Sequence, residues 1–312
     1  MSVISDLPQI TVGIPIHGGT SEEDINSCIE SLLSQDYSSF DILVLSEDER
    51  MSKKLEDRFS SNLIDIVDVE NENGGLSYAR NEIYKRSSSD VVAYIDADAE
   101  ADENWLSEIG ETYRNKKVPA VGGRAEPNWE SKRPIFLPEE FFWLVGVTDA
   151  NHPDHGSTVR NAFGCNMSYK RDILEQLGGF NTDLGKNKDY NLQGEEPELG
   201  ERLMEEMNVG VYYNENASVQ HKVSDEQGTI RWLSGRAYLQ GVSKAVIEAS
   251  TSSNLSREKQ YLQEVLKSCI KYFKRCFTGP ERLHSFVSIF SILYFTALVG
   301  SGYLVMSFKS LF

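Results

Sequence analysis

Short apolar runs alternate with stretches of helical spacing along the first hundred residues. Ile10 to Ile14 is rich in β-formers and stops at Pro15, as a buried strand does. From Asp24 the spacing changes, and Ile25, Cys28, Ile29, Leu32 and Leu33 fall on one face of a predicted helix. Asp41–Leu45 and Leu63–Val69 then read as strands, Ser77–Arg86 as a helix and Val91–Ile95 as a fourth strand. Strands alternating with helices predict βαβ units in an α/β fold, with a largely parallel sheet covered on both faces. Ligands of such sheets sit at the carboxyl ends of the strands, so the polar residues just beyond them are the first candidates for chemistry.

The pattern is less regular past Trp105. Arg133 to Asn161 holds Pro134, Pro138 and Pro153, with Phe136, Phe141, Phe142 and Trp143, and has no clear period. Long elements of this kind in enzymes are usually lids or substrate-binding features. Helices are expected near Arg171–Leu177 and Glu196–Met207, with a turn at Gly178–Gly179, a short strand at Ala217–Gln220 and a further helix over Ile230–Ala249. In Ser256–Phe277, the residues Leu262, Val265, Leu266, Cys269, Ile270 and Phe273 have helical spacing beside a stripe of Lys267, Lys271 and Lys274, the pattern of a helix in a membrane interface.

Ser285 to Phe308 contains no charged residue, and this 24-residue run lies between Arg282 and Lys309. A helix of that length reaches about 36 Å, enough for a bilayer core, and a single transmembrane helix is expected. Basic residues precede the run (Lys267, Lys271, Lys274, Arg275, Arg282) and only Lys309 follows it, which predicts a single-pass protein of the cell membrane with its main domain on the cytoplasmic side. The resulting division is 1–230 as catalytic domain, 231–282 as helical membrane-proximal region and 283–309 as span. A net charge of −17 argues against a nucleic-acid partner. Four cysteines without CxxC spacing fit a reducing compartment.

Against this framework, Asp96-Ala97-Asp98 stands out because it directly follows the apolar strand Val91–Ile95. Two carboxylates released from a strand into a turn can hold a hard divalent cation, Mg²⁺ or Mn²⁺, that also takes diphosphate oxygens. D-x-D alone is a weak signal in a chain with 48 acidic residues. Its neighbours strengthen it: Asn73-Gly74-Gly75 leading to Ala79-Arg80-Asn81 upstream, then Gly164-Cys165-Asn166, Gly178-Gly179-Phe180 and Gly194-Glu195-Glu196 downstream.

In this order the motifs resemble glycosyltransferase family 2, the inverting group that includes polysaccharide synthases and dolichyl-phosphate sugar synthases. The resemblance runs over residues 8–223 and implies a GT-A fold, a nucleotide-sugar donor and a divalent cation. It implies donor contacts at Pro15, Glu47, Asp48, Gly75, Arg80 and Asp96, and metal contacts at Asp98, Asp96 and His221. Glu196 matches the family's catalytic base, with Glu195 orienting it or meeting the acceptor. The chain departs from the family after the second strand, where Ser46 replaces the usual aspartate ahead of Glu47 and Asp48. Gln227 and Arg231-Trp232 approximate the Q-x-x-R-W element of processive synthases, but the spacing is one residue too long and one span builds no polymer channel.

Leu137–Thr148, together with Gly122-Gly123-Arg124, is similar to archaeal members that extend dolichyl-phosphate-linked glycans for protein N-glycosylation, glucuronosyltransferases among them. That similarity implies a UDP-sugar donor, a lipid-linked acceptor and acceptor contacts at Trp143, Asn166 and Arg236. A synthase acting on dolichyl phosphate itself, or a catalytically silent sugar-nucleotide-binding protein of the membrane, stays open on the sequence.

Overall fold

A computed structural model describes residues 7–16, 19–59, 61–69, 75–184, 194–250, 256–278 and 282–309. Asn73 and Gly74 of the motif upstream of Arg80 lie outside the described residues. The chain divides into two compact units that interleave in sequence: 1–126, 153–191 and 195–221 form the first, and 127–152, 192–194 and 222–312 form the second. The sequence reading places its boundaries at 230 and 282.

The first unit is built in chain order from β1 (Ile10–Ile16), α1 (Glu22–Leu33), β2 (Phe40–Ser46), α2 (Glu49–Arg58), β3 (Ile64–Asp68), α3 (Gly75–Arg86), β4 (Val91–Tyr94), β5 (Ala99–Ala101), α4 (Trp105–Asn115), β6 (Ala120–Trp129), β7 (Thr158–Val159), β8 (Met167–Lys170), α5 (Arg171–Leu177), α6 (Glu195–Met207) and β9 (Val211–Val223). The sheet order is β3-β2-β1-β4-β8-β6-β9-β5, with β7 on β9. β1 pairs in parallel with β2 and β4, and β2 with β3, as βαβ units require. β8 runs antiparallel to β4 and β6, and β9 antiparallel to β5 and β7. The sheet is therefore mixed, and the ends of β4 lie where its two halves meet.

Local chemistry accounts for several of these elements. Ser21 caps α1 by accepting from the Asp24 amide at 3.1 Å. Ile25, Cys28, Ile29 and Leu32 are buried as expected, but Leu33 is 41% exposed and lies off that face. Pro15 is tolerated inside a central strand because the last β1–β4 rung is Gly13 with Tyr94, so β1 has outrun its neighbour on that side. Gly13 has no room for a Cβ, which would overlap the Ile83 side chain of α3, so the helix packs directly on the strand. Leu43, Leu45, Ile83, Val92, Tyr94, Met167, Tyr169 and Leu199 form part of one continuous core.

The sequence pattern did not anticipate α2, α4, β5, β6, β7 or β8, nor the full length of β9. α2 buries only Ser52 and Leu55, too few positions to produce an apolar period. The expected strand at Ala217–Gln220 extends to 13 residues as β9, because neighbours on both sides satisfy its backbone through a polar stretch that pattern alone does not mark as a strand.

The second unit holds a 3₁₀ turn (Glu139–Val145) and the helices α7 (Ile230–Ser250), α8 (Ser256–Thr278) and α9 (Arg282–Lys309). The turn lies within the irregular aromatic segment, buries Phe141, Leu144 and Val145, and ends on Gly146 in the left-handed conformation at φ 76°. α7 and α9 approach backbone to backbone: a Cβ on Gly241 would strike the Val299 carbonyl, and one on Gly302 the Tyr238 carbonyl. α9 is long and apolar enough to cross a membrane.

Candidate active site

The site grows from the end of β4. Tyr94 closes the strand and donates from its hydroxyl to the Arg80 carbonyl at 3.0 Å, tying α3 to the turn that carries Asp96 and Asp98. Arg80 is fully buried, with its guanidinium 5.6 Å from the centre of the Phe180 ring. Its Nη1 donates to Glu195 Oε1 at 3.0 Å and to Glu196 Oε1 at 3.1 Å, and its Nη2 lies 3.5 Å from Asp96 Oδ1. Its buried Nε has no hydrogen-bond partner among the described residues. Residues 115 and 116 positions apart in sequence thus meet at one cation.

The exposure gradient orders these groups. Side-chain exposure rises from 1% at Arg80 through 5% at Glu195 and 17% at Glu196 to 29% at Asp96 and 36% at Asp98. The dry end is closed to solvent, and the wet end can meet a ligand. One guanidinium faces three carboxylates there, so the cluster carries excess negative charge in a poorly solvated place. Burial first, and then the charge of Glu195, push the Glu196 carboxyl up to about 7, with Arg80 opposing. Burial works against the charge on Arg80, but the carboxylates of Glu196, Asp96 and Glu195 outweigh it and hold its pKa above the usual value.

Asp98 lies opposite β9. Ala99 is paired in register with His221, which brings His221 Nε2 to 3.5 Å from Asp98 Oδ1. The donor atoms of Asp96, Cys165 and His221 lie within 4.8 Å of one another. Carboxylate oxygens with one imidazole form a donor set suited to Mg²⁺ or Mn²⁺. Cys165 is a neutral neighbour, its thiol pushed up by burial and then by the carboxylates of Asp96 and Asp98. Sequence reasoning assigned it no role. Its position inside the Gly164-Cys165-Asn166 element was the available signal.

Gly164 has a steric role that motif matching did not reveal. A Cβ there would overlap Arg80 Nη2, approach Glu196 Oε1 to 2.5 Å and Arg80 Cζ to 3.2 Å. Only glycine allows the guanidinium and the carboxylate to meet over this backbone.

Other expected residues take different places. Asp48 caps α2, one carboxylate oxygen accepting from the amides of Arg50 at 2.9 Å and Met51 at 3.4 Å, and Ser46 accepts from the Asp48 amide at 3.1 Å. Glu47 is half-buried at the end of β2. Pro15 is buried in β1 opposite Leu45, and Gly75 opens α3 at φ 63°, a conformation that disfavours other residues. Asn166 is committed internally: Oδ1 accepts from the Trp105 indole at 2.9 Å, and Nδ2 donates to the carbonyls of Arg124 at 2.7 Å and Ala217 at 2.8 Å. Trp143 and Arg236 belong to the second unit, where Trp143 packs 5.6 Å from Phe141 and Arg236 donates to the Leu144 carbonyl at 3.1 Å.

Comparison with known proteins bears on the family and the fold. The family model for glycosyl transferase family 2 matches residues 11–178. A curated relative, the glucosyl-dolichyl phosphate glucuronosyltransferase of Haloferax volcanii, is 33% identical over 284 residues, covering 90% of each chain. Among solved structures, the Pyrobaculum calidifontis mannosyltransferase PcManGT, in complex with GDP-Man and Mn²⁺, superposes with a TM-score of 0.59 at 15% identity over 98% of this chain and 87% of its own. S. aureus TarS 1-349 in complex with UDP-GlcNAc gives 0.56 at 14% identity over 97% and 91%. The strand order, the turn after β4 and the sequence match over more than half its length lead to one conclusion: the chain belongs to glycosyl transferase family 2 and has the GT-A fold.

Proposed function

We propose that the chain transfers a sugar, glucuronic acid being the reading favoured by the Haloferax volcanii relative, from a UDP-sugar to a dolichyl-phosphate-linked saccharide in protein N-glycosylation, with inversion at the anomeric carbon. The observation that carries the chemistry is the meeting of Arg80, Asp96, Glu195 and Glu196 beside Asp98 and His221.

Glu196 serves as the base. It takes the proton of the acceptor hydroxyl while that oxygen bonds to the anomeric carbon and the bond to the leaving UDP breaks, the electron pair staying with the diphosphate. A carboxyl raised to about 7 is a better proton acceptor than an ordinary one and is still substantially ionised at neutral pH. Arg80 fixes it against Glu195 and Asp96. Asp98, Asp96 and His221 would hold a divalent cation, which when bound neutralises charge on the leaving diphosphate. Glu47 and Asp48 remain the proposed acids for the nucleobase, Asp48 with one carboxylate oxygen engaged as the cap of α2. Asn166 is engaged by Trp105, by Arg124 of β6 and by Ala217 of β9, so Trp143 and Arg236 are kept as the proposed acceptor contacts.

The test is direct. Purified full-length protein with Mn²⁺ is given labelled UDP-glucuronic acid or UDP-glucose, and either glucosyl-dolichyl phosphate or dolichyl phosphate. A β-linked glucuronosyl extension of the hexosyl lipid is expected, read by NMR coupling. Transfer to dolichyl phosphate alone identifies a synthase, an α-linked product overturns inversion, and nucleotide binding without lipid product removes catalysis.

A further inference from the structure

α9 has two unlike faces. Ser285, Ser288, Ser291, Ile292, Phe295 and Gly302 are turned inward and buried, whereas Leu283, Phe286, Phe290, Leu293, Leu304 and Phe308 are 50–72% exposed. A lone membrane anchor stands clear of its protein with lipid on every side. This helix does not: protein lies along one face of it for most of its length. Near its start the ring of His284 lies 6.4 Å from that of Tyr272 in α8, and further on Phe295 lies 5.5 Å from Phe141 of the 3₁₀ turn. From there α7 accompanies it. Ser234 Oγ and Tyr294 Oη are hydrogen-bonded at 2.9 Å, Gly241 abuts Val299, Gly302 abuts Tyr238, and Tyr303 Oη donates to Glu248.

These escorts are charged. α7 carries Arg231, Arg236, Lys244 and Glu248, and the 3₁₀ turn carries Glu139 and the buried Glu140. A hydrocarbon core takes about 20 residues of helix, so centring the uncharged run of α9 in it places Tyr294 to Tyr303 well inside. The ion-bearing α7 and the polar backbone of the 3₁₀ turn would then have to enter lipid, where charges and unpaired backbone groups are strongly disfavoured.

α8 supplies an independent observation. It buries Val265, Ser268, Tyr272 and Cys276, and leaves Leu262, Leu266, Ile270, Phe273 and Phe277 as an exposed apolar row flanked by Lys267, Lys271, Lys274 and Arg275. The apolar period seen in the sequence therefore comprises two faces, one packed and one open. In a chain of net charge −17, this basic border complements an anionic surface.

We infer that α8 and α9 lie in the plane of an anionic lipid surface with their exposed apolar rows inserted, so that the chain attaches to one leaflet and does not cross the bilayer. The inference rests on the lipid-linked acceptor of the proposed function and is independent of the transfer chemistry. The full chain with a C-terminal epitope is added to preformed sealed vesicles of phosphatidylcholine and phosphatidylglycerol, floated on a gradient, and treated from outside with protease. Flotation with loss of the epitope together with the catalytic region is expected. An epitope that survives inside the vesicle while the catalytic region is cut overturns the in-plane arrangement, and failure to float overturns membrane attachment itself. Leu266→Glu with Phe290→Glu, both at exposed positions, should lower the floated fraction at least tenfold with an unchanged unfolding midpoint. Flotation equal to that of the unaltered chain would also overturn the arrangement.

Discussion

Gly164→Ala tests whether the Arg80–Glu196 contact drives activity. The added methyl would sit 2.5 Å from Glu196 Oε1 and overlap Arg80 Nη2, whereas ordinary contacts of this kind need about 3.4 Å, so one partner must retreat by roughly 1 Å. Arg80 cannot swing away cheaply: it is fully buried, stands over the Phe180 ring and is held by Glu195. Displacing Glu196 stretches its 3.1 Å hydrogen bond past the useful range and misplaces the proposed base. Misplacement of about 1 Å at a reacting group costs on the order of 100-fold in rate. Overpacking of a buried position costs about 1–3 kcal/mol, a fall of several degrees in Tm but not loss of fold. The assay pairs turnover under saturating donor with thermal unfolding by circular dichroism. Gly235→Ala is the control, because a Cβ there meets nothing within 4 Å. Unchanged turnover in Gly164→Ala alongside an unchanged Tm would refute the argument, because it would show that the cluster yields without functional cost.

Asp98→Ala should abolish Mn²⁺-dependent transfer and leave the unfolding midpoint within about 1 kcal/mol of the parent, since Asp98 is 36% exposed in a turn; turnover that survives both the substitution and EDTA would remove the metal role. The Glu196 carboxyl, raised from 4.5 to about 7, must be ionised to act as the proposed base, so kcat/KM should rise as pH passes through about 7, and Glu196→Gln should remove both the activity and this limb of the profile. The same raised pKa makes a stability contribution that is complete below about 4.5 and is lost as pH climbs through about 7, so the fall in Tm over that window should flatten in Glu196→Gln. Cutting the chain after Leu255 should give an aggregating or loosened protein, because it strips α9 from the Gly241 face of α7 and from Phe141; a soluble monomer with unaltered Tm would show that the helices are separable.

The sequence by itself determined the parallel half of the sheet and the place of the acidic turn. Both depend on local information: apolar runs of strand length and polar residues at their carboxyl ends. It also named Arg80, Asp96, Asp98, Glu195, Glu196 and His221, through a family resemblance carried by short motifs. Only tertiary structure decided what those residues do to one another, because Arg80 meets Glu195 from 115 residues away and His221 meets Asp98 through the register of β5 on β9. Asp48 and Asn166 show the converse, since nothing local reveals that the acid also caps a helix or that the amide holds three hydrogen bonds. The same holds for α9: length and hydropathy measure what a helix tolerates around it, but whether lipid surrounds it depends on α7 and the charges it brings alongside.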